Sequence, residues 1–131
     1  MRVLDTDVCI EILRGNREVI LRRQRVFDEV VTTWIAAAEL YYGAAKSRAP
    51  AKNQKLVSEF LATLKLVGLD MPAVKQFGAI KADLEQKGQP LADADLLIAA
   101  IVLAQGATLV TGNIRHYQRI AGLTIEDWIR G

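Results

Sequence analysis

The sequence carries one cysteine, Cys9, and one histidine, His116, among 131 residues. No intrachain disulfide and no Cys/His zinc cage can be built from that pair, so any metal here must be held by oxygen. Long apolar stretches are also missing: the longest, Leu96 to Ala104, is less than half of the ~20 residues needed to cross a bilayer. The start, Met1-Arg2-Val3-Leu4-Asp5, places an acid where a signal peptide would continue its apolar stretch. These absences imply a soluble, cytoplasmic chain with no membrane partner. A strong basic excess is lacking too, with 17 lysines and arginines against 15 acids, which excludes gripping nucleic acid by charge alone. There is no internal repeat, low-complexity tract or linker. With half its residues apolar, the chain reads as one domain over residues 1–131, able to bury a core without staples.

What is present is unevenly placed. Arg14, Arg17, Arg22, Arg23 and Arg25 crowd one early segment, whereas Asp5, Asp7, Glu39, Asp93 and Asp95 sit among apolar residues. The arginines read either as a solvated helix face or as a surface for RNA phosphates or a protein partner.

Val3-Leu4 is a short strand, stopped by Asp5-Thr6-Asp7, whose side chains suit a helix N-cap. One helix then runs to Gly15 and a second from Asn16 to Phe27. Val30 to Thr33 is a second strand, followed by an alanine-rich helix from Trp34 to Ala45. Ala51 to Leu64 is an amphipathic helix whose Phe60, Leu61 and Leu64 face the core, and Leu66 to Leu69 a third strand. Helices from Met71 to Lys87 and from Asp93 to Gln105 precede a fourth strand, Thr108 to Thr111. A weak fifth strand falls at Leu123 to Glu126. This alternation predicts an α/β fold of three layers, α/β/α, around a parallel sheet of four to five strands.

In such a fold the site lies beyond the carboxyl ends of the strands, and each crossover helix runs antiparallel to them. Asp5 follows strand one and Glu39 lies within about two turns of the end of strand two. Asp93 and Asp95 open the helix before strand four, and Asn113 follows that strand. All five are thus expected at one edge. Glu39 stands out because its helix is otherwise apolar or glycine, and an ionised carboxylate there needs a partner. Acids forced together raise one another's pKa values unless a cation resolves the repulsion. A hard divalent ion, Mg²⁺ or Mn²⁺, is the natural solution.

Leu4-Asp5-Thr6-Asp7 resembles the opening motif of the PIN-domain VapC toxins, which often reads Leu-Asp-Thr-Asn. Ala38-Glu39-Leu40-Tyr41-Tyr42-Gly43 resembles their second motif, Asp95 to Ala100 the third, and Leu109-Val110-Thr111-Gly112-Asn113 the fourth. The stretch from Gly122-Leu123 to Glu126-Asp127-Trp128 is similar as well. The likeness spans nearly the whole chain, and it is the ordered set that is specific. It implies a PIN fold, Mg²⁺- or Mn²⁺-dependent cleavage of RNA such as transfer or ribosomal RNA, and neutralisation by a VapB antitoxin, with toxin homodimers joined in the complex. By the same resemblance, Asp5, Glu39 and Asp95 are the metal-binding acids. Thr6, Asp7 and Thr111 would steady them through hydrogen bonds. Asn113 stands where relatives have Asp or Asn, and Asp93 is an added acid at a variable position; either is a further candidate ligand.

Other readings stand beside these. Asp5, Asp7 and Asp93 also suit helix starts, and Asn113 a turn. Cys9 reads as core packing and His116 as a loop residue. Val3 to Val8 loosely fits the Asp-x-Asp nucleophile of haloacid-dehalogenase-type phosphatases, with Asp5 as nucleophile, but the longer chain, flap and late lysine of that fold are not found. A degenerate PIN domain that only binds RNA or protein is the non-enzymatic alternative.

Overall fold

Strands that are covered on both faces must send alternate side chains into two separate cores, and the short β runs of this chain do so. The computed structural model describes residues 1–130. Its elements are β1 (Arg2–Leu4), α1 (Thr6–Leu13), α2 (Arg17–Arg25), β2 (Val30–Thr33), α3 (Trp34–Ala45), α4 (Pro50–Leu61), β3 (Lys65–Val67), α5 (Met71–Gln86), α6 (Asp93–Gln105), β4 (Thr108–Val110), α7 (Ile114–Tyr117) and β5 (Thr124–Glu126). Val3, Val31 and Leu109 enter one core with Ala73 and Leu84 of α5 and Leu96, Ile98 and Ile101 of α6. Leu4 and Val110, one residue further along, enter the other with Val8 and Cys9 of α1, Val19 of α2, Leu40 of α3 and Val57, Phe60 and Leu61 of α4. Helices α1 to α4 therefore cover one face and α5 and α6 the other, which is the expected three-layer α/β/α architecture.

The sheet has five strands in the order β3-β2-β1-β4-β5, and every neighbouring pair is parallel. The weakly signalled fifth strand is present. The one-turn α7 is additional to the expected elements, since four residues are too few to display a helical period. Local chemistry sets the boundaries. Asp5, Asn16, Thr33 and Asp70 accept backbone N–H bonds as N-caps of α1, α2, α3 and α5. Gly106, at φ +61°, closes α6 in the left-handed conformation that glycine adopts without strain.

The strand order positions the site. From central β1 the chain moves outward to β2 and β3, then returns through α5 and α6 to place β4 on the other side of β1. The order reverses between β1 and β4, and a crevice opens beyond their carboxyl ends. Among the described residues, no helix is long and apolar enough to cross a membrane.

Candidate active site

Asp5 leaves β1 at this reversal and is nearly buried, at 6% exposure. Its backbone N–H continues the ladder to the Val110 carbonyl at 2.9 Å. Its Oδ1 accepts the Thr6 N–H and its Oδ2 the Thr111 hydroxyl, both at 2.8 Å. Burial first, then the charges of Asp7 and Asp95, push the Asp5 carboxyl up to about 7, against the lowering pull of the Thr111 and Thr6 bonds. Asp7, in the first turn of α1, accepts the Val8 N–H at 2.8 Å through Oδ1 and the Gly112 N–H at 2.9 Å through Oδ2. Burial also raises its carboxyl, with Asp127 adding repulsion and the two amides opposing the rise.

Glu39 reaches the crevice from α3, where its Oε1 accepts the Thr6 hydroxyl at 2.6 Å. Its surroundings differ from the sequence expectation. Helix α3 turns Trp34, Tyr41 and Tyr42 outward, with Trp34 60% exposed, so the apolar residues flanking Glu39 do not enclose it. The carboxylate is half-buried and meets less desolvation than its neighbours in sequence imply. Asp95, in the first turn of α6, accepts the Tyr117 hydroxyl at 3.3 Å. Tyr117 is fully buried; burial, with the charges of Asp5 and Asp95, pushes its phenol far up and keeps it a neutral donor. Asn113 begins α7, donates its N–H to Thr111 Oγ1 at 3.0 Å, and pairs its amide with His116 Nδ1 at 2.6 Å.

Asp5, Thr6, Asp7, Glu39, Asp95 and Asn113 line one open cavity of about 590 Å³, together with Glu11, Gly112 and Arg130. Thr111 stands behind it, bonded to Asp5. The sequence reasoning passed over four residues here. Glu11 lies one turn beyond Asp7 on α1, and that i, i+4 spacing was its available signal. Gly112 fell within the fourth motif without a role assigned to it, and Tyr117 and Arg130 had no signal, because their roles depend on contacts between distant segments. Asp93 lies elsewhere: it is exposed and pairs with Lys81 Nζ at 2.9 Å, away from the cavity wall. None of the five early arginines lines the cavity. Arg23 is already engaged, its Nη2 donating to the Thr63 carbonyl and hydroxyl at 3.2 and 3.0 Å with the guanidinium over the Phe60 ring. Arg14 borders a neighbouring apolar groove between α1, α3 and α4, lined by Ile10, Leu13, Leu40 and Val57. Cys9 is buried, with its thiol pushed up to about 12 by burial, so it is no nucleophile.

The donor set suits a hard divalent ion. Every polar ligand candidate on the wall is an oxygen, and the buried Asp5 carboxyl carries repulsion that a cation would remove. Among the described residues, Glu39 Oε2 and Asp95 Oδ2 accept no hydrogen bond. No three acidic, histidine or cysteine side chains among those residues stand in a ready-made ion cage; the engaged carboxylate oxygens turn onto nearby hydroxyls and amides.

A parallel sheet in this order, opening an acid-lined cavity at its reversal, is the arrangement of a PIN domain, and the sequence profile of the PIN domain matches residues 2–123. The chain is 36% identical over 127 residues to the tRNA(fMet)-specific endonuclease VapC of Salmonella typhimurium, covering 96% of each chain. It is 33% identical to ribonuclease VapC2 of Haemophilus influenzae over 97% of each. In the crystal structure of VapBC2 from Rickettsia felis bound to a promoter DNA fragment, a chain 31% identical superposes with a TM-score of 0.92, over 97% of this chain and 98% of that one. The DNA-bound VapBC of Salmonella typhimurium gives 0.91 at 34% identity, over 97% of each chain. The chain belongs to the VapC branch of the PIN-domain family.

Proposed function

We propose that this protein is the toxin of a VapBC toxin-antitoxin pair and acts as a Mg²⁺- or Mn²⁺-dependent endoribonuclease. The observation that carries the reading is the nearly buried Asp5 carboxylate, raised to about 7, sharing a solvent-open cavity with Glu39 and Asp95. Three carboxylates at a strand-order reversal are costly to the fold unless a cation joins them, which is the expected signature of a functional site.

Asp5, Glu39 and Asp95 would hold the ion, with Asn113 as a further oxygen donor. When bound, Mg²⁺ or Mn²⁺ supplies Lewis acidity that offsets phosphoryl charge and acidifies water. The chain's own residues prepare the site. Thr111 and the Thr6 amide fix both oxygens of Asp5, leaving lone pairs free on each. The Thr6 hydroxyl orients Glu39, and Tyr117 orients Asp95. Asp7 holds the Gly112 amide and so keeps the end of β4 against α1. With the single histidine exposed and tied to Asn113, paired-histidine acid-base cleavage has no basis here.

The name of the Salmonella relative supports transfer RNA as the substrate class, and a single-stranded loop is the form whose backbone an open cavity can admit. The VapBC complexes among the structural relatives support an antitoxin partner. The apolar groove beside the cavity, sharing Ile10 and Glu39 with it, offers a segment of that partner an adjoining surface. The test is a cleavage assay of purified protein on transfer and ribosomal RNA with Mg²⁺, Mn²⁺ or EDTA, with mapping of the RNA ends. Discrete products with either ion and none with chelator are expected; activity indifferent to chelation would refute metal dependence.

A further inference from the structure

Among the described residues, Arg130 is the one cationic side chain on the wall of the acidic cavity; the other charged groups there, Asp5, Asp7, Glu11, Glu39 and Asp95, are all carboxylates. Such a wall repels a polyanion, so the position and free valences of its single cation matter for anything phosphate-bearing that enters.

The tail after β5 is built to deliver that group. Trp128 is buried and donates Nε1–H to Glu126 Oε1 at 2.7 Å, anchoring the segment. Asp127 Oδ1 accepts the Ile129 and Arg130 amides at 2.9 and 3.1 Å, which turns the chain back toward the end of β4. Burial alone would raise the Asp127 carboxyl, but these two amides and the Arg130 guanidinium together hold it below its ordinary value. Arg130 Nη1 then donates to the Gly112 carbonyl at 2.7 Å and to Asp127 Oδ2 at 3.2 Å. Only this corner of the guanidinium is engaged. Among the described residues Nε and Nη2 make no hydrogen bond, and the side chain is 70% exposed. A guanidinium held at one corner and offering its Nε/Nη2 edge matches two oxygens of a phosphodiester in the paired geometry that arginine favours.

We propose that Arg130 receives a backbone phosphate of the RNA entering the acidic cavity and so sets the register of the strand; this rests on the ribonuclease reading above. Anchoring on the Gly112 carbonyl ties that register to the loop that also bonds Asp7, so the contact is positional as well as electrostatic.

The test compares wild type, Arg130→Gln and Arg130→Lys in steady-state cleavage of a single-stranded oligoribonucleotide. RNA binding is measured across a salt series in an Asp5→Asn background. Arg130→Gln is expected to raise KM on the order of tenfold with kcat within about twofold. It should also flatten the dependence of log affinity on log salt by about 0.7, the share of one single-strand phosphate. Arg130→Lys should restore the slope and part of the affinity. Unchanged KM and slope in Arg130→Gln overturn the proposal, the outcome expected if the guanidinium only braces Gly112 or serves an acidic protein partner. A loss confined to kcat and melting temperature overturns it equally. Wild type that cleaves no RNA with any divalent ion overturns the ribonuclease reading itself, whereas cleaving wild type indistinguishable from Arg130→Gln overturns the arginine's role alone.

Discussion

The Thr111 hydroxyl donates to Asp5 Oδ2 at 2.8 Å although the two residues are 106 apart in sequence, and this contact joins the ends of β1 and β4. It is also a bond that holds the Asp5 carboxyl down against burial. Thr111→Val keeps the shape and removes the donor. In the ion-free protein the carboxyl should rise further, and because proton and cation compete for it, the acid limb of the pH–rate profile at subsaturating Mg²⁺ should move to higher pH, so that activity falls more at pH 6 than at pH 8. The cost in stability should be about 1–3 kcal/mol, and profiles for the two proteins check the shift. An unmoved limb would show that this hydroxyl does not tune Asp5.

Asp5 also makes the ion-free fold sensitive to pH. Its carboxyl ordinarily titrates at 3.8 and is raised to about 7 in the fold, so the folded chain binds the proton more tightly between those values. Stability in EDTA should therefore fall as pH rises from about 4 to about 7, by at most ~1.4 kcal/mol for each pH unit, and level off above. Asp7, also raised, adds to the trend, while Glu126 and Asp127, held low, act in the opposite sense in more acidic solution. Millimolar Mg²⁺ should recover stability at pH 8. Thermal melts with and without the ion measure this, and a flat profile in EDTA would contradict it.

Asp5→Asn separates charge from shape. The substitution removes the buried charge while an amide can still meet Thr6 and Thr111, so cleavage should drop more than about 100-fold while the melting temperature in EDTA at pH 8 holds or rises. Retained turnover would remove Asp5 from the chemistry.

The two acids that open α6 should behave differently. Asp93 pairs with Lys81 in solvent, whereas Asp95 faces the cavity beside Tyr117. Asp93→Asn should leave cleavage and Mn²⁺ binding at wild-type levels, and Asp95→Asn should weaken both by at least about tenfold. Calorimetric titration with Mn²⁺ distinguishes them.

A side chain at Gly112 would have to push aside the ends of Ile129 and Asp7. A Cβ there would lie 2.8 Å from Ile129 Cδ1 and 3.1 Å from Asp7 Oδ2. Gly112→Ala should destabilise the fold by about 1 kcal/mol, since the end of the Ile129 side chain can give, and loosen residues 127–130 from the cavity. A melt reports the first effect. The second should appear as greater quenching of Trp128, which is buried in the native fold while Trp34 is already exposed.

The sheet is legible in the sequence because Val3-Leu4, Val30 to Thr33 and Leu109-Val110 are β-branched or apolar runs bounded by caps and turns, and because helices alternate with them. The convergence of Asp5, Glu39, Asp95 and Asn113 follows from that topology, since strand ends and the starts of antiparallel crossover helices share one edge. Depth was less legible. The composition of α3 announces a buried Glu39, yet which aromatics face water is decided by packing, and Trp34, Tyr41 and Tyr42 face it. Asp93 and Asp95, two residues apart on one helix, point in different directions, and spacing alone does not say which of them meets the other acids. Arg130 reaches the cavity, and Tyr117 reaches Asp95 behind it, only through the folding back of the chain around α7 and β5, a long-range event that no local pattern encodes.

Of the described strands, β1 comes earliest in the sequence yet lies in the middle of the sheet, flanked by β2 and β4. A polypeptide emerging from the ribosome can pair one side of β1 early, but its other side waits until residues 108–110 arrive. Asp5 meets Thr111 later still, and the Gly112 carbonyl gains its Arg130 donor after that. A chain not yet extended through residues 108–130 therefore lacks the wall on which the acids meet, and the cavity cannot take shape before that segment docks.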